Sequence, residues 1–310
     1  MLDRTTMRGP WAGLPVSWTQ RNEFDKSTYQ SDVVKCCRAG IPGVYTGGTT
    51  GEFYAMEFAE YKEIASATVN AAADYPTPIM IGVTSTYTLG AQRRAAFAAE
   101  IGADAIQVAL PYWMPVDERQ IISFFRDVSE ACDHLPLSIY ETTRSKVTLT
   151  VEQHNNIHSE LPNYLMVKAN ARTVGYTTEG CSQLSNIVNV FVGEGSWKSL
   201  VPHGAAGGCS SVVYWNPRVC LHYWDLINNV PESEDCKELS CKFEKLFQFL
   251  GDEFEPRGFT DSAYDRLGAI ASGFLNTTQN NRAPYISPSE EDYCIWRDWY
   301  AEHFPEMLEL

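Results

Sequence analysis

The stretch IMIGVTSTYTLGAQRRAAFAAEIGADAIQVAL, residues 79–110, carries two short apolar runs on either side of an amphipathic segment. IMIGV (79–83) and AIQVAL (105–110) read as strands. Between them, from about Thr88, apolar residues return at helical spacing through LGAQRRAAFAAEIGA. Strand, helix and strand in so short a span make a βαβ unit, whose two strands run parallel.

The same alternation continues outward. GVYTG (43–47) reads as a strand before a helix in EFAEYKEIASATVNAAA (57–73), and DERQIISFFRDVSEAC (117–132) as a helix before the strand LSIY (137–140). Thr150 is placed to cap a helix in TVEQHNNIHSE, and the strand YLMVK (164–168) precedes a short helix around Cys181–Leu184. IVNVFVG (187–193), GGCSSVV (207–213) and a first strand near WAGLPVSW (11–18) complete a set of about eight. The glycines of IGA (101–103) and HGAAGG (203–208) suit tight helix-to-strand turns. The expected fold is α/β, a (β/α)8 or TIM barrel. Its rival, an open doubly wound sheet, lacks a G-x-G-x-x-G fingerprint after the early strands. Past Pro231 the pattern turns wholly helical, in ESEDCKELSCKFEKLFQFLG, SAYDRLGAIASGFL and SEEDYCIWRDWYAEHF. The expected division is therefore a barrel over 1–230 and a helical extension over 231–310. The aromatic stripe YCIWRDWY (293–300) is read as helix packing or a subunit contact.

Composition narrows the classes of function. The 310 residues are 44% hydrophobic and 20% charged, as a globular chain should be. A net charge of -15 argues against a nucleic-acid surface and against anionic membranes. No apolar run reaches the length of a membrane span, and the amino terminus has no signal-peptide core. Nine scattered cysteines without a CxxC pair fit reduced thiols in a cytoplasm.

In a parallel barrel the active site lies at the carboxyl ends of the strands. There the sequence places GGTTGE (47–52), Tyr140, Lys168, Glu194 and Ser210. Lys168 ends an apolar run, and lysine is rarely buried without a partner or a task. At a pKa of about 10.4 only about one lysine in 2,500 is neutral at pH 7, and desolvation by apolar neighbours raises that fraction. A neutral amine attacks a ketone, and the resulting iminium withdraws electrons from the adjacent carbon. A phenol such as Tyr140 can then relay protons. The glycines around Gly48 bare backbone N–H groups suited to a carboxylate. Each feature has a plainer reading: a solvated lysine, a packed tyrosine, an ordinary turn, a packed serine. Their meeting on one face favours chemistry. His154 and His158, four apart on a helix, are read as solvated, and no metal site is expected.

GGTTGEF, IQVALPYWMP, LSIYETT, YLMVKAN and the closing RAPYISPSEE occur in an order and spacing that resembles the dihydrodipicolinate synthase/N-acetylneuraminate lyase family. The resemblance implies a (β/α)8 barrel with carboxyl-terminal helices, often tetrameric, working without metal or organic cofactor. It implies that Lys168 forms the Schiff base with pyruvate or another 2-oxo acid, that Tyr140 shuttles protons, and that Thr49 and Thr50 bind the carboxylate and orient that tyrosine. The partners would be a small 2-oxo acid and an aldehyde, with a homo-oligomer, tetramer or dimer, as the assembly. YETTRSK departs from the Asn-x-Pro segment of the lysine-pathway synthases, and Arg144 lies four rather than five residues past the tyrosine. Trp113 stands where those synthases lend a second tyrosine across a dimer contact, and indole cannot pass a proton as a phenol does. PYWMPVDERQIISFFRDVSEA is similar to hydratase-aldolases that cleave arylidene-pyruvates, although those tend to carry Phe at the position of Thr50. The reading is a class I lyase or aldolase, with hydration or dehydration as a coupled step. The alternatives are a dihydrodipicolinate-synthase-like condensing enzyme, a sugar-acid dehydratase, or a non-catalytic 2-oxo-acid-binding protein.

Overall fold

The computed structural model describes residues 2–310. Eight strands close into a barrel in sequence order: β1 (Gly9–Gly13), β2 (Gly43–Thr46), β3 (Ile79–Gly82), β4 (Ala105–Val108), β5 (Leu137–Tyr140), β6 (Tyr164–Lys168), β7 (Asn189–Phe191) and β8 (Ala205–Ser210). From β3 to β8 each consecutive pair is parallel. The helices between strands are α1 (Lys26–Arg38), α2 (Phe58–Ala72), α3 (Thr88–Glu100), α4 (Glu118–Glu130), α5 (Val151–Glu160), α6 (Thr178–Leu184) and the short α7 (Trp197–Leu200). After β8 come α8 (Val212–Trp215), α9 (Pro217–Asn229), α10 (Glu234–Phe249), α11 (Asp261–Ser272) and α12 (Glu290–His303). The barrel and its carboxyl-terminal helices are thus as expected from the alternation of periods.

Two compact units make up the chain. One runs to Trp11 and from Pro78 to Cys209; the other runs from Ala12 to Thr77 and from Ser210 to Leu310. In the first, β4, β5 and β6 align Gln107 with Ser138 and Ser138 with Met166. These three side chains bond in a row: Gln107 Nε2 donates to Ser138 Oγ at 3.0 Å, and Ser138 Oγ donates to Met166 Sδ at 3.0 Å. Strand side chains alternate faces, so Tyr140 and Lys168, two residues on, share the face of Ser138 and Met166. Capping boxes start α4 at Asp117 and α5 at Thr150, the latter the expected cap. Cys36 and Cys37 are buried on α1, as helix packing requires.

Several boundaries differ from the sequence reading, three of them with a clear physical reason or consequence. The first strand is Gly9–Gly13 rather than 11–18, because Pro15 has no N–H to continue a ladder. The seventh is confined to Asn189–Phe191 within the expected 187–193. The last strand is Ala205–Ser210, so the small residues of HGAAGG are strand and only Gly204, at φ +98°, makes the turn. Val212 and Val213, read as strand, open α8, where the Ser210 hydroxyl accepts the Val213 N–H at 3.1 Å. Pairing with β7 outweighs the weak strand propensity of AAGG.

Candidate active site

The register of β5 and β6 sets Tyr140 opposite Lys168. The ladder continues one step past the strand end, with the Glu141 N–H donating to the Lys168 carbonyl at 3.0 Å. Lys168 Nζ lies 4.2 Å from the centroid of the Tyr140 ring, where the ring's negative face attracts a cation. Both side chains line a cavity of about 220 Å³. Its other walls come from the ends of β6, β7 and β8: Asn170, Tyr176, Val192, Gly193 and Cys209. Burial pushes the Cys209 thiol up from its ordinary value, against the pull of the Lys168 charge.

Behind Tyr140 stands a buried polar chain. Glu141 accepts the Leu149 N–H at 2.9 Å through Oε1, and its Oε2 lies 3.3 Å from His154 Nε2. His154 Nδ1 is 2.8 Å from the Tyr164 hydroxyl. Burial, with the Glu141 charge, pushes the Tyr164 phenol well above its usual range. An ionised Glu141 can only accept, so the contact with it calls for Nε2–H, and a neutral His154 then takes the Tyr164 O–H at Nδ1. This corrects the reading of His154 as solvated: it is wholly buried, while His158 is half-buried with Nδ1 3.0 Å from the Tyr164 carbonyl. Helical spacing told which face they share but not that Glu141 and Tyr164 wait beneath it.

The remaining candidates fall elsewhere. Trp113 is 75% exposed, and Lys146 Nζ donates to its carbonyl at 2.7 Å and sits 6.0 Å from its ring. Glu194 begins a 3-10 turn directly after Gly193, and its charge acts on Tyr176 and Cys209. The buried Ser210 accepts the Val213 N–H and lies 3.9 Å from Cys220 Sγ.

Gly48, Thr49 and Thr50 belong to the second unit. At Gly48 an added Cβ would fall 1.7 Å from the Tyr45 hydroxyl, so only glycine fits that turn. The Thr50 hydroxyl bonds the Asp265 carboxylate on α11. Glu52 closes the turn at φ +52° and is wholly buried. Its Oε2 accepts from Trp18 Nε1 at 2.6 Å and Arg266 Nη2 at 2.7 Å, and its Oε1 accepts the Arg282 N–H at 3.0 Å. Arg266, also wholly buried, gives its other donors to Asn281, Val16 and Thr278. Sequence reading found neither this clamp nor Tyr176 and Cys209. The only signal for Tyr176 was its place just beyond YLMVKAN.

Among the described residues no cluster of metal-ligating side chains occurs, and no helix is long and apolar enough to cross a membrane. The nine cysteines are free.

Comparison with known proteins adds three findings. The chain is 27% identical over 154 residues to N-acetylneuraminate lyase of Escherichia coli K12, covering 49% of this chain and 52% of the relative. It thus spans about half the length of the curated relatives it matches. The fold resembles that of YagE, a prophage protein of the dihydrodipicolinic acid synthase family from E. coli K12 in complex with pyruvate, with a TM-score of 0.85 at 18% identity over 96% of this chain and 98% of that one. It equally resembles PhdJ bound to a substrate intermediate, with a TM-score of 0.84 at 23% identity over 99% and 98% of the two chains. The dihydrodipicolinate synthetase family model matches residues 7–291, nearly the whole chain, and the protein belongs to that family.

Proposed function

We propose that this protein is a class I lyase, an aldolase that holds pyruvate or a pyruvate-derived 2-oxo acid as an imine on Lys168. The observation that carries the proposal is the Lys168 amine set 4.2 Å from the Tyr140 ring inside a cavity at the ends of β5 and β6. Membership of the family and the half-length likeness to a lyase support it. In its neutral form the amine attacks the C2 carbonyl and water departs, with Tyr140 moving the protons. The iminium draws the electron pair of the C3–C4 bond into an enamine while the C4 hydroxyl gives up its proton through Tyr140 and the aldehyde leaves. Protonation at C3 and hydrolysis then release pyruvate and restore the amine. Thr49, Thr50 and the backbone at Gly48 are proposed for the carboxylate on the resemblance alone. The iminium formed on Lys168 serves as electron sink, so the scheme calls on no cofactor. A homo-oligomer and a reducing compartment such as the cytoplasm are the setting proposed for it.

Borohydride added to protein and pyruvate should fix a pyruvyl-derived mass on the one peptide that contains Lys168. Labelling at another lysine, or none with any 2-oxo acid, overturns the mechanism. Trapping without turnover on any aldehyde would favour a 2-oxo-acid-binding protein. Efficient condensation of pyruvate with aspartate semialdehyde would favour the synthase reading. The exposed Trp113, a large flat surface, favours an aldehyde with an apolar or aromatic body, as in a hydratase-aldolase.

A further inference from the structure

The imine chemistry uses the wall of the cavity formed by β5 and β6 and leaves the β7 side without a task. There the wall is Tyr176, the last residue of the 3-10 turn Val174–Tyr176, together with Gly193 just beyond β7. The Gly193 N–H donates to the Tyr176 hydroxyl oxygen at 2.6 Å. A side chain at 193 would displace the phenol, since an added Cβ would lie 2.7 Å from that oxygen. Strand β7 therefore seats the phenol through backbone, at a position where only glycine lets it approach. The bond uses the phenol as acceptor, so the Gly193 contact leaves its own proton to be given, with the Ser196 side chain a second neighbour of the hydroxyl. Burial pushes the Tyr176 phenol up, and the Glu194 charge acts the same way, against the Gly193 N–H and the Lys168 charge. At neutral pH this phenol is a donor and not a base.

Lys168 is thus flanked by two phenols, Tyr140 on β5 and Tyr176 before β7. We propose that they divide the reaction: Tyr140 serves the imine, and Tyr176 is the hydrogen-bond donor to the oxygen of the incoming aldehyde, the oxygen that becomes the C4 hydroxyl of the aldol. The inference rests on the aldolase reading above and adds to it a site for the second substrate. An oxygen that gains negative charge as the C–C bond forms needs a fixed donor already aimed at it. Ala169 and Val192 in the same wall offer no side-chain donor and the Cys209 thiol is a weak one; the Asn170 amide is the other donor there, and Tyr176 is preferred because Gly193 fixes its hydroxyl in place. Tyr176 transfers no proton in this scheme: Tyr140 takes the proton that C3 loses as the enamine forms and hands it to the new C4 oxygen. Tyr176 polarises the carbonyl, and an acceptor without a carbonyl oxygen would gain nothing from it.

The test compares wild type with Tyr176→Phe in three measurements: borohydride trapping with pyruvate, exchange of the pyruvate methyl hydrogens in deuterium oxide, and condensation of pyruvate with benzaldehyde or glyceraldehyde. Trapping and exchange report the imine and enamine without any aldehyde, and they also show that the variant is folded. Expected are trapping and exchange within about twofold of wild type and condensation lower by about 10²-fold, the loss typical of one such donor, with a raised KM for the aldehyde. Exchange falling together with condensation would place Tyr176 in the imine half and overturn the proposal. Unchanged condensation would overturn it as well, and so would a wild-type protein that traps pyruvate but condenses neither aldehyde. A wild-type protein that does not trap pyruvate sinks the aldolase reading itself, a result seen before the variant is measured.

Discussion

The cavity around Lys168 and the clamp around Glu52 are built from similar materials to opposite ends. Each sets a cation, a partner and an aromatic ring where apolar residues surround them. In the clamp, Arg266 and Glu52 are both wholly buried, and every carboxylate bond reaches a named donor. Such a pair holds the GGTTGE turn against α11 and has nothing left over for a ligand. In the cavity, Lys168 is half-buried beside open space, and its aromatic neighbour carries a hydroxyl. A buried charge costs least when all its bonds are made, whereas chemistry needs a polar atom that faces a substrate.

Removing either cation breaks this comparison differently. Lys168→Ala should abolish trapping and turnover outright with little change in the denaturant midpoint, because no other group supplies the electron sink. Residual turnover through imine would end the distinction. Arg266→Ala leaves Glu52 buried without its partner and should destabilise by about 3–5 kcal/mol, read from urea unfolding. A loss under about 1 kcal/mol would mean that the clamp is not dry.

Asp32 on α1 sharpens the point, since it is a buried carboxylate held by backbone donors, the Asn276 N–H at 2.8 Å and that of Thr277. Burial pushes its carboxyl up from 3.8 to about 6. An acid whose folded pKa is raised favours the fold at low pH, and that contribution is lost as pH rises from about 4 through 6. Asp32→Asn cannot ionise, so its stability relative to wild type should grow by about 2 kcal/mol between pH 4 and pH 7. A gap that stays constant across that window would refute the shift, whatever the fixed cost of the substitution.

Within the cavity the effects are smaller. Tyr140→Phe keeps the ring face for Lys168 and removes the proton carrier, so trapping should persist while turnover falls by about 10²-fold. Near-normal turnover would return Tyr140 to packing. Trp113→Ala should change stability by less than about 1 kcal/mol, as an exposed side chain should. It should raise the KM for an aromatic aldehyde severalfold and leave trapping intact; an unchanged KM would remove Trp113 from the substrate's path.

Much of this was legible in the chain. The βαβ repeat announced the barrel, and the end of an apolar run picked out Lys168 and Tyr140, because alternation along a strand is local. Glycine-rich β8 was not legible, since its strand comes from pairing with β7 and not from propensity. Nor was the burial of His154, whose partners Glu141 and Tyr164 lie on different elements.

The sequence by itself determined the order of elements, the family, and which lysine ends which strand. Period and motif need only near neighbours along the chain. Which polar groups are saturated and which face a cavity was decided by the tertiary structure alone. Arg266 meets Glu52 across 214 residues, and Gly193 seats the Tyr176 hydroxyl across 17. A hydrogen bond depends on distance and direction in space, and no local pattern encodes either.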